Sequence, residues 1–134
     1  MKTRLVSCSI LQKKNKYLVS KRPSHKTFAE YWEFPGGKLE HNENFYDAII
    51  RELYEELGIV VQIKDLNIID NVTHSYKKNE VIIMAVFLLK KWTGAIKARE
   101  SQTIKWVSKS EINKLNFLEG SKIILERVKS NFYA

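Results

Sequence analysis

The chain is poor in the residues that mark disulfide-rich, linker-rich or repetitive proteins. Its 134 residues include one cysteine, two prolines and five glycines. Because Cys8 has no partner for an internal disulfide and lies in an apolar strand pattern, we expect it to be a packed thiol. No Pro-, Gly- or Ser-rich linker, internal repeat or low-complexity run divides the sequence, so we expect a single domain over residues 1–134.

Long apolar runs and an excess of acidic residues are also missing. No stretch approaches the length of a membrane span, and the first four residues lead into a strand pattern instead of an apolar leader. From these absences we expect a cytoplasmic protein without membrane contact. The 23 Lys and Arg residues exceed the 15 Asp and Glu residues, for a net charge of +8. Such a surface attracts polyanions, and both nucleoside triphosphates and nucleic acids are candidates.

The basic residues carry no signature of a nucleic-acid-binding protein. Many of the lysines are scattered or occur as pairs such as Lys13-Lys14 and Lys77-Lys78, which is typical of solvated turns. No RNA-binding aromatic motif, zinc-ligand spacing or helix-turn-helix pattern accompanies them. We therefore expect no stable complex with nucleic acid.

The chain does contain enough apolar sequence for a core, since 44% of its residues are hydrophobic. Their periodicity predicts strands over residues 4–12, 16–21, 32–34, within 60–76, 80–91 and 103–107. It predicts helices over residues 44–57, after Ser110, and over 122–132. The strand at 80–91 is apolar throughout and is expected at the sheet centre, buried on both faces. This order predicts an α+β fold, an α/β/α sandwich.

Three glutamates stand out in the helix predicted over residues 44–57. Residues three and four apart share one edge of a helix, so Glu52, Glu55 and Glu56 lie together. Like charges crowded this way repel unless a cation faces them. Hard oxygen ligands on a rigid element are what Mg²⁺ or Mn²⁺ requires. The pattern therefore predicts a divalent-metal site that handles phosphates.

The ends of this helix carry capping signals. Asn44 with Asp47 predicts an N-terminal capping box, and Gly58 predicts a left-handed C-terminal residue. Before the helix, the sequence EFPGG at 33–37 predicts a strand that enters a tight glycine turn. Arg51 is expected to pair with one of the three glutamates or with Glu43.

The segment from Gly37 to Ile59, GKLEHNENFYDAIIRELYEELGI, resembles the Nudix box GX5EX7REUXEEXGU. It agrees at every fixed position without a gap. The sequence WEFPGGK at 32–38, Arg22, and the sequence RESQ at 99–102 resemble the MutT-like branch of the Nudix hydrolases. This resemblance implies the Nudix fold, a mixed β-sheet between helices. It also implies a diphosphatase of 8-oxo-dGTP, which limits mutation during DNA replication by removing damaged nucleotides from the pool.

The resemblance implies a role for each matching residue. The implied metal ligands are Gly36, through its carbonyl, and Glu52, Glu55, Glu56 and Glu100. Arg51 and Glu43 would organise the helix and its glycine loop. The general base is left open between Glu52 and Glu100. The expected cofactor is Mg²⁺, with Mn²⁺ able to substitute.

Two cations and two aromatic rings are expected to contact the substrate. The resemblance implies that Arg22 and Lys38 meet phosphate oxygens, with a solvated position as the alternative for each. Phe117 is a candidate wall for the base, with a core position as the alternative, and Phe34 is a further candidate for contact with the substrate.

The residue expected to recognise the base differs from that of the MutT-like branch. The MutT-like branch has Asn or Asp where this chain has Ser121, whose single hydroxyl has a shorter reach. Asn116 or Glu119 would substitute for the missing amide if the loop shifts.

The sequence is also compatible with two other functions. The first alternative is a broader nucleotide pyrophosphohydrolase, which acts on other nucleoside triphosphates or on dinucleoside polyphosphates. Alternatively, the chain would be a non-catalytic module that recognises nucleic acid on the same scaffold, although such modules generally lose the glutamates that this chain keeps. The resemblance also implies a monomer.

Overall fold

The computed structural model describes residues 1–132, apart from the side chains of Tyr76 and Asn131. The strands are β1 (Lys2–Lys13), β2 (Lys16–Lys21), β3 (Trp32–Glu33), β4 (Gly36–Lys38), β5 (Asn67–Lys77), β6 (Glu80–Leu89) and β7 (Thr103–Ser108). The helices are α1 (Phe45–Leu57), α2 (Lys109–Ile112) and α3 (Glu119–Val128), with 3-10 turns at Ile63–Asp65 and Lys129–Asn131.

The strands form one mixed sheet with the central order β3-β2-β1-β6-β5. Strand β1 runs parallel to β6 in register from Lys2 opposite Glu80 to Leu11 opposite Leu89. The pair β5 and β6 is antiparallel. On its other edge β1 pairs first with β4 and then, near the hairpin, with β2, which also pairs with β7. Strand β1 therefore holds the two halves of the sheet together.

Side chains of β6 alternate between two hydrophobic cores on opposite faces of the sheet. Met84 and Val86 pack in the core that includes Ile124 of α3. Ala85 and Phe87 pack in the core that contains the inner face of α1. Helices therefore cover both faces, and the predicted α/β/α sandwich is confirmed. Strand β6 lies within the sheet, between β1 and the edge strand β5, and the predicted burial on both faces holds for residues 84–87 but not for the half-buried residues 80–83.

The predicted glycine turn before the helix is wrong. Gly36 and Gly37 belong to strand β4, which pairs with residues 6–8 of β1 after a bend at Pro35. A side chain at position 36 would place its Cβ 2.1 Å from the backbone oxygen of Ser7. The glycines thus allow two strands to approach closely, a use that their turn propensity does not reveal.

The C-terminal helices differ from the prediction at their boundaries. Ser108, not Ser110, caps α2 through a capping box with Glu111. Helix α3 begins at Glu119 without a side-chain cap and ends at Val128, so the predicted span of 122–132 is shifted toward the N-terminus. Because no capping residue marks its start, that boundary has no local signal in the sequence.

The remaining predicted strands match observed ones with small shifts at their ends. The segment 60–76 contains a single long strand, β5, preceded by a 3-10 turn. Cys8 is buried, which raises the pKa of its thiol to about 12, and the expected packed thiol is confirmed. Within residues 1–132, no helix has the length and apolar character needed to cross a membrane.

Candidate active site

A cavity of about 300 Å³ opens between α1, the start of β4 and two loops. Its polar lining is dominated by five carboxylates: Glu33, Glu52, Glu55, Glu56 and Glu100. The cations that line it are Arg22 and Lys26, and the other lining residues are Ser20, Pro23, Gly36 and Gln102. Carboxylates therefore outnumber cations, and an anionic ligand would be repelled unless a further cation entered with it.

Helix α1 is fixed at both ends, which holds its glutamates in place. The Asn44 side chain accepts from the backbone of Asp47, and the Asp47 carboxylate accepts from the backbone of Asn44 at 3.0 Å. Gly58 ends the helix with a φ of 72°. Both predicted caps are confirmed. The inner face, including Ile49 and Leu53, is fully buried against the sheet, so the glutamates near its C-terminal end project from a rigid support.

Arg51 is the organising cation of the acidic edge. Its Nε and Nη2 donate to the two carboxylate oxygens of Glu43 at 2.7 and 2.9 Å. Its Nη1 donates to Glu52 at 2.9 Å and to Glu55 at 3.2 Å. Its Nη2 also donates to the Lys38 carbonyl at 2.9 Å. The predicted pairing is confirmed, and the hydrogen bonds from Arg51 lower the pKa of the Glu43 carboxyl.

The Glu52 carboxyl group lies directly against the backbone of β4. A Cβ atom at position 37 would lie 2.5 Å from Cδ and Oε1 of Glu52. A larger residue at position 37 would therefore displace the Glu52 carboxylate. Burial raises the pKa of Glu52, although the hydrogen bond from Arg51 opposes this effect.

Glu56 has the most perturbed carboxyl group of the cavity. Burial, followed by repulsion from Glu52, Glu100 and Glu33, raises its pKa to about 9, with a hydrogen bond from the Gly36 backbone acting in the opposite direction. Its Oε2 is buried and has no hydrogen-bond partner. A buried acceptor without a donor, surrounded by like charges, is the environment that a hard cation would satisfy.

The donor set therefore fits a divalent ion such as Mg²⁺, although the side chains are not yet gathered around one point. No group of three His, Cys, Asp or Glu side chains in the described part of the chain has a geometry that could already hold a metal ion. Glu52 and Glu55 are instead hydrogen-bonded to Arg51.

Glu100 reaches the cavity from the loop of residues 94–102. This loop lies against the C-terminal end of α1, where the backbone N–H of Arg99 donates to the Glu56 carbonyl at 3.0 Å. The Arg99 Nη1 donates to the Tyr54 carbonyl at 2.9 Å. The loop thereby supplies donors and a positive charge to a helix end that has no basic residue in its last turn.

The two cations of the cavity differ in how they are held. Arg22 is tied to its own loop, since its Nε donates to the Thr27 carbonyl at 2.7 Å and its Nη1 to Glu33 at 3.2 Å. Lys26 is exposed, and it lines the cavity from the same loop. Lys26 and Glu33 were not predicted as site residues, because a lysine in an irregular loop and a glutamate at a strand end have no distinguishing pattern.

Four residues that were expected to contact substrate lie outside this cavity. Lys38 is exposed and lines a different cleft, of about 450 Å³, beside the start of β1. Phe34 and Phe117 stack on each other with ring centroids 5.4 Å apart, and both are buried in the core. Ser121, in the first turns of α3, does not line the cavity.

The fold and the acidic cavity define a class of protein: the chain matches the NUDIX domain over residues 1–128 and belongs to that family. The predicted assignment to the Nudix family and its MutT-like branch is confirmed, together with the Nudix fold and the expectation of a hydrolase that acts on phosphoric anhydrides. Members of this family generally need a divalent metal ion.

Individual relatives show which branch of the family this chain resembles. The 8-oxo-dGTP diphosphatase of Buchnera aphidicola subsp. Schizaphis graminum is 34% identical over 134 residues, which cover 99% of each chain. The CTP pyrophosphohydrolase of Escherichia coli is 31% identical over 83% of this chain and 80% of its own. A structure from a study of MutT from Aliivibrio salmonicida and Vibrio cholerae has a TM-score of 0.82 and 27% identity, with 98% of this chain and 100% of that chain covered.

Proposed function

We propose that this chain is a MutT-like pyrophosphohydrolase that converts 8-oxo-dGTP, or a related purine deoxynucleoside triphosphate, to the nucleoside monophosphate and pyrophosphate. The observation that carries the proposal is the meeting of Glu52, Glu55 and Glu56 with Glu100, from a separate loop, in one cavity. The relatives named as 8-oxo-dGTP diphosphatases support the choice of substrate.

The expected cofactor is Mg²⁺, with Mn²⁺ as a substitute. The residues that would hold it are Gly36, Glu52, Glu55, Glu56 and Glu100. When bound, such an ion neutralises phosphate oxygens and lowers the pKa of a coordinated water. This assignment agrees with the excess of carboxylates and with the unpartnered Oε2 of Glu56.

The side chains of the cavity divide the remaining work. Lys26 and Arg22 would bind phosphate oxygens and orient the triphosphate. Glu52 or Glu100 would accept the proton of the attacking water. As the water oxygen bonds to the β-phosphorus, the bond between that phosphorus and the oxygen that bridges it to the α-phosphate breaks. Burial raises the pKa of Glu52, which makes it a stronger proton acceptor than an exposed carboxylate.

The test is a pyrophosphate-release assay with Mg²⁺ or Mn²⁺ that compares 8-oxo-dGTP with dGTP, other nucleoside triphosphates, dinucleoside polyphosphates and ADP-ribose. We expect the highest kcat/KM for 8-oxo-dGTP.

The Glu56→Gln variant should lose at least about a hundredfold in kcat with its fold intact. Glu126→Gln, on the exposed face of α3, is the matched control and should keep full activity. Wild-type activity in Glu56→Gln would contradict the assignment.

A broader substrate range is the second candidate. It is favoured by the CTP pyrophosphohydrolase relative and by the position of Ser121 outside the cavity. Similar rates for many nucleotides would support it. No turnover with either metal would instead support a non-catalytic nucleic-acid-recognising module. A cytoplasmic location, a monomeric state and the lack of a stable nucleic-acid complex belong to the main proposal.

A further inference from the structure

The Glu100 loop is attached to α1 by two kinds of contact. The first kind involves only its neighbours: the backbone N–H of Lys97 donates to the Leu57 carbonyl at 3.0 Å, and Arg99 donates to carbonyls of the last turn. These contacts hold the loop on the helix. None of them involves Glu100 itself.

The second kind is made by the side-chain amide of Gln102. Its Nε2 donates to the Glu56 carbonyl at 2.9 Å, and its Oε1 accepts from the backbone N–H of Glu100 at 2.8 Å. One planar amide group therefore joins the backbones of two residues that place carboxylates in the cavity. Gln102 also lines the cavity and is half-buried.

The backbone between these residues is shaped to permit this arrangement. Ser101 has a φ of 62°, in the left-handed region, and the chain reverses so that the Gln102 side chain meets the N–H two residues earlier. Asn and Asp commonly close such local turns, whereas here a longer side chain does so and still has a donor available for α1.

We propose that Gln102 is a positioning residue, which fixes the Glu100 backbone relative to the C-terminal end of α1 and so sets the distance between the Glu100 and Glu56 carboxylates. This inference rests on the proposed function, in which both carboxylates act on the same phosphate chain. Small displacements of such groups cost rate much more than affinity, because the reacting geometry is met only in the transition state.

The first test uses Gln102→Met, which keeps the length of the side chain and removes both hydrogen bonds. We expect kcat to fall by about tenfold while KM changes less than about twofold. Gln62→Met is the matched control, since Gln62 is exposed and makes no capping hydrogen bond. It should leave kcat and KM unchanged. A kcat for Gln102→Met equal to that of the control would overturn the proposal.

A double-mutant cycle tests whether Gln102 acts through Glu100. Glu100→Gln alone should lower kcat, and adding Gln102→Met to it should lower kcat by less than about twofold further. Independent, multiplicative effects of the two substitutions, or no effect of Glu100→Gln, would overturn the proposal.

Amide hydrogen exchange tests the contact without any assay of activity. The Glu100 N–H should exchange several-fold faster in Gln102→Met than in the wild type, while the Lys97 N–H keeps its protection. Unchanged exchange at Glu100 would contradict the inference even in an active enzyme. If the wild type hydrolyses no nucleotide, the proposed function fails, and the exchange difference still shows whether Gln102 fixes this backbone. Should the Met variant fail to fold in a thermal scan, Gln102→Ala serves for the same measurements.

Discussion

At the scale of single residues, the candidate site is a balance between one guanidinium and several carboxylates. Arg51 pairs with the carboxylates nearest to it and leaves Glu56, deeper in the cavity, without a partner for Oε2. Arg51 therefore stabilises the folded state, whereas Glu56 destabilises it as long as no cation is bound.

The first prediction concerns the pH dependence of stability without metal. The folded Glu56 carboxyl keeps its proton up to a pKa of about 9, while an unfolded one releases it near 4.5. The folded state therefore binds more protons between these values, and the free energy of unfolding falls as pH rises through this window. In EDTA, thermal scans should show a wild-type Tm that declines from pH 5 to pH 9, and a clearly smaller decline for Glu56→Gln.

The wild type and Glu56→Gln also test whether Glu56 contributes to binding of the divalent ion. At pH 8, Mg²⁺ should raise the Tm of the wild type by roughly 5 °C and that of Glu56→Gln by much less. Glu126→Gln should follow the wild type in both measurements. A pH profile of Glu56→Gln identical to that of the wild type would show that this carboxyl group does not carry the effect.

The second prediction concerns Arg51→Lys. A lysine keeps the charge but cannot donate to both oxygens of Glu43 and to the Lys38 carbonyl at once. We expect a loss of about 2 kcal/mol in the free energy of unfolding, measured in urea, and at least a tenfold loss of kcat.

Arg127→Lys is the matched control for this substitution. Arg127 also makes two hydrogen bonds to one carboxylate, that of Asp70, at 2.7 and 3.0 Å, but its side chain is 52% exposed compared with 21% for Arg51. An exposed pair contributes little, so this variant should lose much less stability and keep its activity. Equal losses for the two variants would argue against a special role for Arg51.

At the scale of elements, the C-terminal end of α1 is the junction between the helix and the Glu100 loop. Gly58 has a φ of 72°, and a Cβ there would lie 3.1 Å from Cδ of Arg99. Our third prediction is that Gly58→Ala lowers the free energy of unfolding by about 1 kcal/mol or more. It should also lower kcat, because Arg99 must move. Urea unfolding and steady-state kinetics measure the two effects.

Gly120→Ala is the comparison for that substitution. Gly120 lies in helix α3, and a Cβ there would meet only the Met84 sulfur, at 3.9 Å. Alanine is the better helix residue, so stability should be unchanged or higher by up to about 1 kcal/mol. Destabilisation by both substitutions would remove the argument for a left-handed requirement at position 58.

The elements also show what the sequence could predict. Helix α1 was predicted nearly to the residue, since its apolar period, caps and charged edge are all local signals. The use of Gly36 and Gly37 in a strand was not predictable, because it depends on β1 approaching from a distant part of the chain. The joining role of Gln102 depends on a contact with residue 56, far away in sequence, and a single amide has no pattern.

At the scale of the whole molecule, the net charge of +8 is opposite to that of the cavity, where carboxylates predominate. The positive charge is therefore outside the cavity and acts on the approach of a polyanion. Our fourth prediction is that kcat/KM falls about threefold to tenfold between about 20 and about 300 mM KCl, while kcat changes little. A parallel fall in kcat would place the salt effect on the chemical step instead.

The pairing of β1 with β6 has a consequence for how the chain is made. Residue 2 pairs with residue 80 and residue 11 pairs with residue 89. The strand that is synthesised first therefore cannot complete its pairing until the sixth strand has been made. At about 5–20 residues per second, that wait on the ribosome lasts roughly 4 to 16 s. During this interval the glutamate helix has been synthesised, but one edge of the sheet beneath it is open. For several seconds the nascent chain therefore has an unpaired strand edge through which it can aggregate, and slower translation prolongs that interval.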